Sequence, residues 1–297
     1  MKNLRIFIDR LKICYRLSED SILHNMIANP TDMVDYDLGY YLKRVEGTHY
    51  DHTYEIIYRD YTDKSMTELS EQTFGLLQWG LRADKKGDMR HLVWIHIDNK
   101  QFYLPFDCHI NNRMVHLEYI EDTLGLIFNN ITKMEVAIDS TLNFPKKLLN
   151  MIRNKEYTPI IMGDSVTDRE QIIEDIVYIC VGTLDKIKER NILIGRDKDL
   201  QLNAYNKLRE IQNSSHKEYI HEANGSPSKL FRLEVRIGSD QLRDFLRNEG
   251  ITYHPMMFTD TDWLWLFFLT FSERIIKFSK GRHPYSIIDL YSALIGY

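Results

Sequence analysis

An α+β fold, with an antiparallel β-sheet core carrying the chemistry and helices around it, is predicted by two observations. Three strand-like runs lie between Asn191 and Ile237 with no long helix between each pair, so the chain does not read as a βαβ succession. Strand patterns also dominate the front and middle of the sequence, whereas helical periodicity closes it. The composition suits a soluble folded protein: 297 residues, 43% hydrophobic, 27% charged, with a formal net charge of -5.

Taken in order, Arg5 to Leu17 and Tyr54 to Tyr61 have β-rich composition, and His91 to Leu104 reads as a hairpin turning at Asp98-Asn99-Lys100. Ile131 to Ser140 is a strand. From Thr167 to Arg190 the residues Ile172, Ile173, Ile176, Ile179, Cys180, Leu184 and Ile187 recur at helical spacing, with Asp168 and Glu170 in the first turn and a break expected near Gly182. Asn191 to Gly195 and Leu200 to Lys207 are strands joined by a tight turn, Arg196 to Asp199, and Lys229 to Ile237 is another strand. Ser239 caps a helix to Asn248, Thr259 or Asp260 opens one through Phe278, and Pro284 starts a last one. No internal repeat or low-complexity linker divides the chain. The expected organisation is a sheet-bearing region, 1–238, with a helical region, 239–297, packed on the same domain.

Several classes are excluded. Cys14, Cys108 and Cys180 are odd in number, widely spaced and free of any C-x-x-C pattern, which argues against a disulfide scaffold or zinc ribbon and for a reducing cytoplasm. Met1 to Asp9 mixes Lys2, Arg5 and Asp9 with apolar residues and does not read as a secretory leader. The most apolar stretch, Trp263 to Phe271, is too short for a bilayer span and reads as a core helix, so no membrane association is expected.

Chemistry concentrates on three strands. Alternation in Thr132 to Ser140 puts Met134, Val136 and Ile138 on one side, with Lys133, Glu135, Ala137 and Asp139 on the other. In Leu200 to Lys207 the polar side carries Gln201, Asn203, Tyr205 and Lys207; in Leu230 to Ile237 it carries Arg232, Glu234 and Arg236. If the apolar faces share one core, the polar faces converge on Glu135, Asp139, Glu234, Tyr205 and Lys207. Three carboxylates brought together require cations, and hard oxygen donors suit Mg2+ or Mn2+. A tyrosine beside such a metal is a candidate nucleophile, since positive charge favours phenolate. The alternative is a solvated sheet face laced with ion pairs.

Basic residues gather at Arg10, Lys12 and Arg16, at Lys146, Lys147, Arg153 and Lys155, and from Lys186 through Lys198. Each group is either a phosphate-contacting patch or a plain solvated face. Tyr50, His49, His52 and Tyr54 read either as a platform for unpaired bases or as a half-buried strand edge.

These segments resemble the replication-initiation-factor family, the trans-acting Rep proteins of rolling-circle plasmids and related mobile elements. The likeness rests on Ile131-Thr-Lys-Met-Glu-Val-Ala-Ile-Asp139, on Ile192-Leu-Ile-Gly-Arg-Asp-Lys-Asp199 with Leu200-Gln-Leu-Asn-Ala-Tyr-Asn-Lys-Leu-Arg-Glu210, and on Phe231-Arg-Leu-Glu-Val-Arg236. Looser likeness extends it over residues 8 to 246. Where many relatives carry Arg and Asp on the first strand, this chain has Lys133 and Glu135.

The resemblance implies a tyrosine- and metal-dependent enzyme that nicks and rejoins origin DNA within region 1–238. On that reading Tyr205 attacks a phosphodiester and becomes joined to the 5′ phosphate. Glu135, Asp139 and Glu234 hold Mg2+ or Mn2+, Lys207 stabilises the phenolate or the pentavalent phosphate, and Arg196, Lys198, Arg232 and Arg236 contact DNA. A host helicase is the implied partner, and a homodimer the implied assembly. The related His-hydrophobe-His class of metal site is missing from the sequence. Three rival readings remain: a conjugative relaxase with the same chemistry, disfavoured because the chain starts almost directly in strand, a DNA-binding module that has lost catalysis, and an unrelated globular binding protein with solvated strand faces.

Overall fold

A computed structural model of the chain describes residues 4–28, 33–36, 40–46, 49–61, 69–81, 91–103, 113–178, 191–196, 199–280, 287–290 and 292. The fold is α+β. Its first half runs β1 (Arg5–Leu17), α1 (Leu23–Ala28), β2 (Met33–Tyr36), β3 (Tyr40–Arg44), β4 (Tyr50–Tyr61), β5 (Leu69–Leu81), β6 (Leu92–Ile97), α2 (Lys100–Tyr103) and α3 (Met114–Leu124). It continues through β7 (Leu126–Ser140), α4 (Phe144–Arg153), β8 (Tyr157–Ile161), β9 (Asp164–Ser165), α5 (Arg169–Ile176), β10 (Val177–Tyr178), β11 (Asn191–Arg196), β12 (Leu200–Asn206) and α6 (Lys207–Glu210). A π-helical turn at Ile211–Ser215 leads to α7 (Glu218–Ala223), β13 (Phe231–Gly238), α8 (Ser239–Asn248), α9 (Thr261–Ile275), β14 (Ile276–Lys280) and β15 (Ile287–Asp289).

The chain forms two compact units. The first comprises Met1–Asp9, Glu135–Gln241 and Asp260–Tyr297; the second comprises Arg10–Met134 and Leu242–Thr259. This partition cuts across the division at residue 238, because the long strands β1 and β7 each contribute residues to both units.

In the first unit the strands follow the order β10, β11, β12, β13, β7, and the Arg5–Asp9 portion of β1 comes next. The pairs β11–β12 and β12–β13 are antiparallel. Helices α4 and α9 pack on β12 and β13. Their apolar faces explain why: Phe144, Leu148, Leu149 and Ile152 of α4 are buried, as are Phe267, Phe268 and Phe271 of α9. Each such side chain contributes about 1.5–3 kcal/mol of burial. Asn143 caps α4 through Lys146 N, and Asp260 caps α9 through the amides of Asp262 and Trp263. A smaller sheet joins β15, β14, β8 and β9.

The second unit carries the order β1, β6, β5, β4, β3, β2. Leu11, Ile13 and Tyr15 alternate inward on β1 and are fully buried, with Trp79, Ile95 and Ile97 equally enclosed. Helix α3 adds Met114, His116, Leu117, Ile120 and Leu124 to that core. Gly75 lies beside a register shift between Ile56 and Ile57, and a Cβ there would fall 2.3 Å from the His96 carbonyl oxygen, so only glycine lets β5 and β6 approach.

Several sequence expectations are corrected. The run from Leu92 does not turn back as a hairpin: the Asp98 carboxylate accepts the Lys100 amide at 2.9 Å and starts α2, while β6 pairs with β1 and β5. The helix expected from Thr167 stops at Ile176, where Val177 and Tyr178 pair with Ile192 and Asn191; the expected break at Gly182 lies outside the described residues. The aromatic C-terminal helix ends at Ile275, and Ile276–Lys280 is strand. Pro284 is outside the described residues, and Ile287–Asp289, expected to be helical, pairs with β14. No helix among the described residues is long and apolar enough to cross a membrane.

Candidate active site

The three chemically marked strands do meet, in the first unit. Register places Tyr205 opposite Arg232, Asn203 opposite Glu234 and Gln201 opposite Arg236 across β12 and β13. Residues two apart on a strand share a face, so Tyr205 lies diagonal to Glu234. Its hydroxyl donates to Glu234 Oε2 at 3.3 Å.

The charged face is not solvated. Glu135, Asp139, Arg232 and Glu234 are each 1% exposed or less, and Tyr205 is 8% exposed. Ions survive such burial only when paired and hydrogen-bonded, and the pairing is extensive. Arg232 grips Asp139 with a two-pronged contact, Nε to Oδ1 at 2.7 Å and Nη2 to Oδ2 at 2.8 Å, and its Nη1 donates to Asp9 Oδ1 at 2.5 Å. Arg236 Nε donates to Glu234 Oε1 at 2.7 Å and stands 3.8 Å from Glu135 Oε1. Asn224, just after α7, donates to Asp139 Oδ2 at 3.2 Å.

The carboxylates that converge are Asp9, Glu135 and Glu234, which offer oxygens within 4.8 Å of one another. Asp139 was expected among them and is instead the counter-ion of Arg232, with both oxygens engaged. Asp9 was missed. Its signal was present in the alternation of β1, where it is the acid on a face otherwise formed by Phe7, Leu11, Ile13 and Tyr15.

Lys207 differs from expectation too. The strand ends at Asn206, whose side chain accepts the Arg209 amide at 3.0 Å and caps α6, so Lys207 opens a helix and no longer follows strand alternation. Its ammonium pairs with Glu210 at 2.7 Å and stands 5.8 Å from the centre of the Tyr205 ring. Arg232, expected on DNA, is wholly buried among acids and does not present a surface to phosphate. Arg236 is 37% exposed at its side chain. Arg196 ends β11 opposite Leu200, and Lys198 lies outside the described residues.

Electrostatics follow from burial. Desolvation, reinforced by the charges of Asp9 and Glu135, raises the Glu234 carboxyl, against which Arg232 and Arg236 pull. The Tyr205 phenol is pushed well above the usual tyrosine range, first by burial and then by Glu234. Lys207 is lowered, first by burial and then by Arg232. Asp9, Glu135, Glu234 and Asp139 outnumber Arg232 and Arg236 by two formal negative charges. That surplus, and the all-oxygen donor set, fit one divalent ion such as Mg2+ or Mn2+. Asp9, Glu135 and Glu234 would hold it.

No protein-family model matches the chain, and no curated protein does. Among solved structures, the chain is similar to a rolling circle replication initiator protein from Geobacillus stearothermophilus, at 12% identity over 95% of this chain and 89% of that one, with a TM-score of 0.48.

Proposed function

We propose that the chain initiates rolling-circle replication by nicking origin DNA and transferring the strand through a 5′-phosphotyrosine at Tyr205. The observation that carries this reading is the hydrogen bond from the Tyr205 hydroxyl to Glu234, a member of the converging Asp9, Glu135 and Glu234 group. A nucleophile, a proton acceptor and a cation-compatible carboxylate set thereby occupy one face of adjacent strands.

In the proposed step Tyr205 Oη attacks phosphorus, a new O–P bond forms, and the bond from phosphorus to the 3′ oxygen breaks. Glu234 Oε2 receives the phenol proton, and the departing 3′ oxygen leaves as a hydroxyl after protonation. A divalent cation, when bound by Asp9, Glu135 and Glu234, supplies positive charge that offsets the carboxylates disfavouring phenolate and polarises a phosphoryl oxygen. Arg232 keeps Asp9 oriented while fixed itself by Asp139. Lys207, beside the ring, supplies positive charge toward the developing phenolate. Because Tyr205 is 8% exposed, a phosphodiester reaches it only after a neighbouring segment moves. The 207–230 connection borders the site, with Lys207 beside the Tyr205 ring and Asn224 bonded to Asp139.

The test is a denaturing gel of protein incubated with supercoiled DNA of its own replicon and Mg2+ or Mn2+. Wild type is expected to nick and to leave a protein–DNA adduct, and Tyr205→Phe to form none. Equal nicking by both rejects Tyr205 as nucleophile. Binding without nicking by either rejects the enzyme in favour of a DNA-binding module.

A further inference from the structure

In the second unit β1 sends Arg10, Lys12, Cys14 and Arg16 to the face opposite Leu11, Ile13 and Tyr15. The inward residues are fully buried, whereas Arg10 and Arg16 are exposed and Lys12 is half-buried. Cys14 lies between the two later cations; its thiol is pushed up by burial and pulled back by Asn129 and by the charges of Lys12 and Arg16. Neighbouring strands extend the same face, with Lys12 opposite His96, Cys14 opposite Trp94, and Trp94 opposite Gln78.

An aromatic pair lies against this row. Lys12 Nζ donates to Tyr50 Oη at 3.0 Å and to Gln78 Oε1 at 3.4 Å, and stands 5.0 Å from the centre of the Tyr50 ring. Tyr50 in turn rests on Trp94, the ring centres 5.4 Å apart. Neither Lys12 nor Arg16 forms an ion pair with a carboxylate among the described residues, unlike Arg232 and Arg236 of the first unit. A half-buried ammonium held, among the described residues, by neutral oxygens, beside a partly open tyrosine, is a charge left available to an outside anion.

We propose that this face of β1, with Tyr50, binds single-stranded nucleic acid. Alternate residues on a strand lie about 7 Å apart, so Arg10, Lys12 and Arg16 form a line of cations able to follow a sugar-phosphate backbone, while Tyr50 offers a ring on which a base stacks. A single strand is favoured over duplex because the partly open Tyr50 ring stacks on a base only where that base is unpaired. The choice of nucleic acid as occupant rests on the proposed function; the arrangement of residues does not.

The experiment uses fluorescence anisotropy of a labelled oligothymidylate in EDTA, where no metal-dependent step contributes. Wild type, Lys12→Ala with Arg16→Ala, and Tyr50→Leu are compared across a salt series, and melting curves verify folding. For the double variant the slope of log K against log salt is expected to shrink by about 1.4, two contacts at roughly 0.7 each. For Tyr50→Leu the affinity is expected to fall on the order of tenfold with the slope unchanged. If Tyr50→Leu fails to fold, the double variant decides, since it removes only half-buried and exposed charge. Binding unchanged in slope and affinity overturns the surface and leaves the proposed function standing. Equal competition by duplex, or by polyglutamate, overturns the single-strand assignment. If wild type binds no nucleic acid, this inference and the proposed function fall together.

Discussion

Strand β13 of the first unit and the Arg10–Leu17 stretch of β1 in the second both alternate cations with apolar residues, β13 with Glu234 between its two arginines, and fold to opposite ends. On β13, Arg232 is wholly buried and saturated by Asp139 and Asp9. On β1, Arg16 stays exposed, and Lys12 meets a phenol and an amide. The difference lies in the partners. The first unit brings carboxylates from β1 and β7 against β13's own cations, so ions can leave water in pairs; among the described residues no carboxylate pairs with Lys12 or Arg16, and the two keep contact with solvent. Period-two alternation therefore states which residues share a face and leaves open whether that face sees solvent.

The largest expected effect breaks the buried side of this contrast. Arg232→Leu strands Asp139 and Asp9 without their counter-ion and is expected to lower stability by about 3–5 kcal/mol, read as a lower denaturant midpoint. Adding Asp139→Asn should recover part of the loss by removing the orphaned charge. A midpoint unchanged by Arg232→Leu would mean that the pair contributes nothing to folding.

A second test concerns a buried titratable group in the core of the second unit. His116 stacks on Tyr58 with ring centres 4.5 Å apart, and burial lowers its pKa to about 4. The unfolded chain takes up a proton near the ordinary histidine value and the folded chain refuses it, so this contribution is present above about 6.5 and is lost as pH falls toward 4. The loss is about 3 kcal/mol at full effect. His116→Phe should flatten the melting temperature between pH 6.5 and 4, and an unaltered slope would assign that acid sensitivity to other groups.

A smaller effect sharpens the metal assignment. Mn2+ at a hundred times its Kd should raise stability by about 2.7 kcal/mol, seen as an upward shift of the melting curve. Asp9→Asn and Glu234→Gln are each expected to abolish that shift. Asp139→Asn is expected to leave a shift, lowered because Arg232 is then held less firmly. Loss with Asp139→Asn and retention with Asp9→Asn would restore the ligand set read from the sequence.

Much of the site was legible. The alternation around Glu135, Tyr205, Arg232 and Glu234 placed each on a polar strand face, and β12 and β13 are adjacent antiparallel strands with Tyr205 diagonal to Glu234. Asp9 was not, because its place depends on β1 lying beside β7, a pairing between strands far apart in sequence that local periodicity does not encode. Lys207 was misplaced by a single local competitor, the Asn206 side chain that ends the strand one residue early. At Asp98 and Val177 the misreading was also local: an Asp side chain that captures an amide starts a helical turn, and a β-branched run that satisfies helical spacing finds a strand partner instead.

The sequence by itself determined the α+β class, the strands that carry the charged residues, and which of their side chains share a face, since these follow from backbone geometry and a period of two. Tertiary structure alone decided that the charged face of the first unit is buried, that Arg232 answers to Asp139, and that Asp9 joins Glu135 and Glu234. The energy of an ion depends on which opposite charges stand within a few ångströms and on how much water remains, and both are set by which distant strands pair.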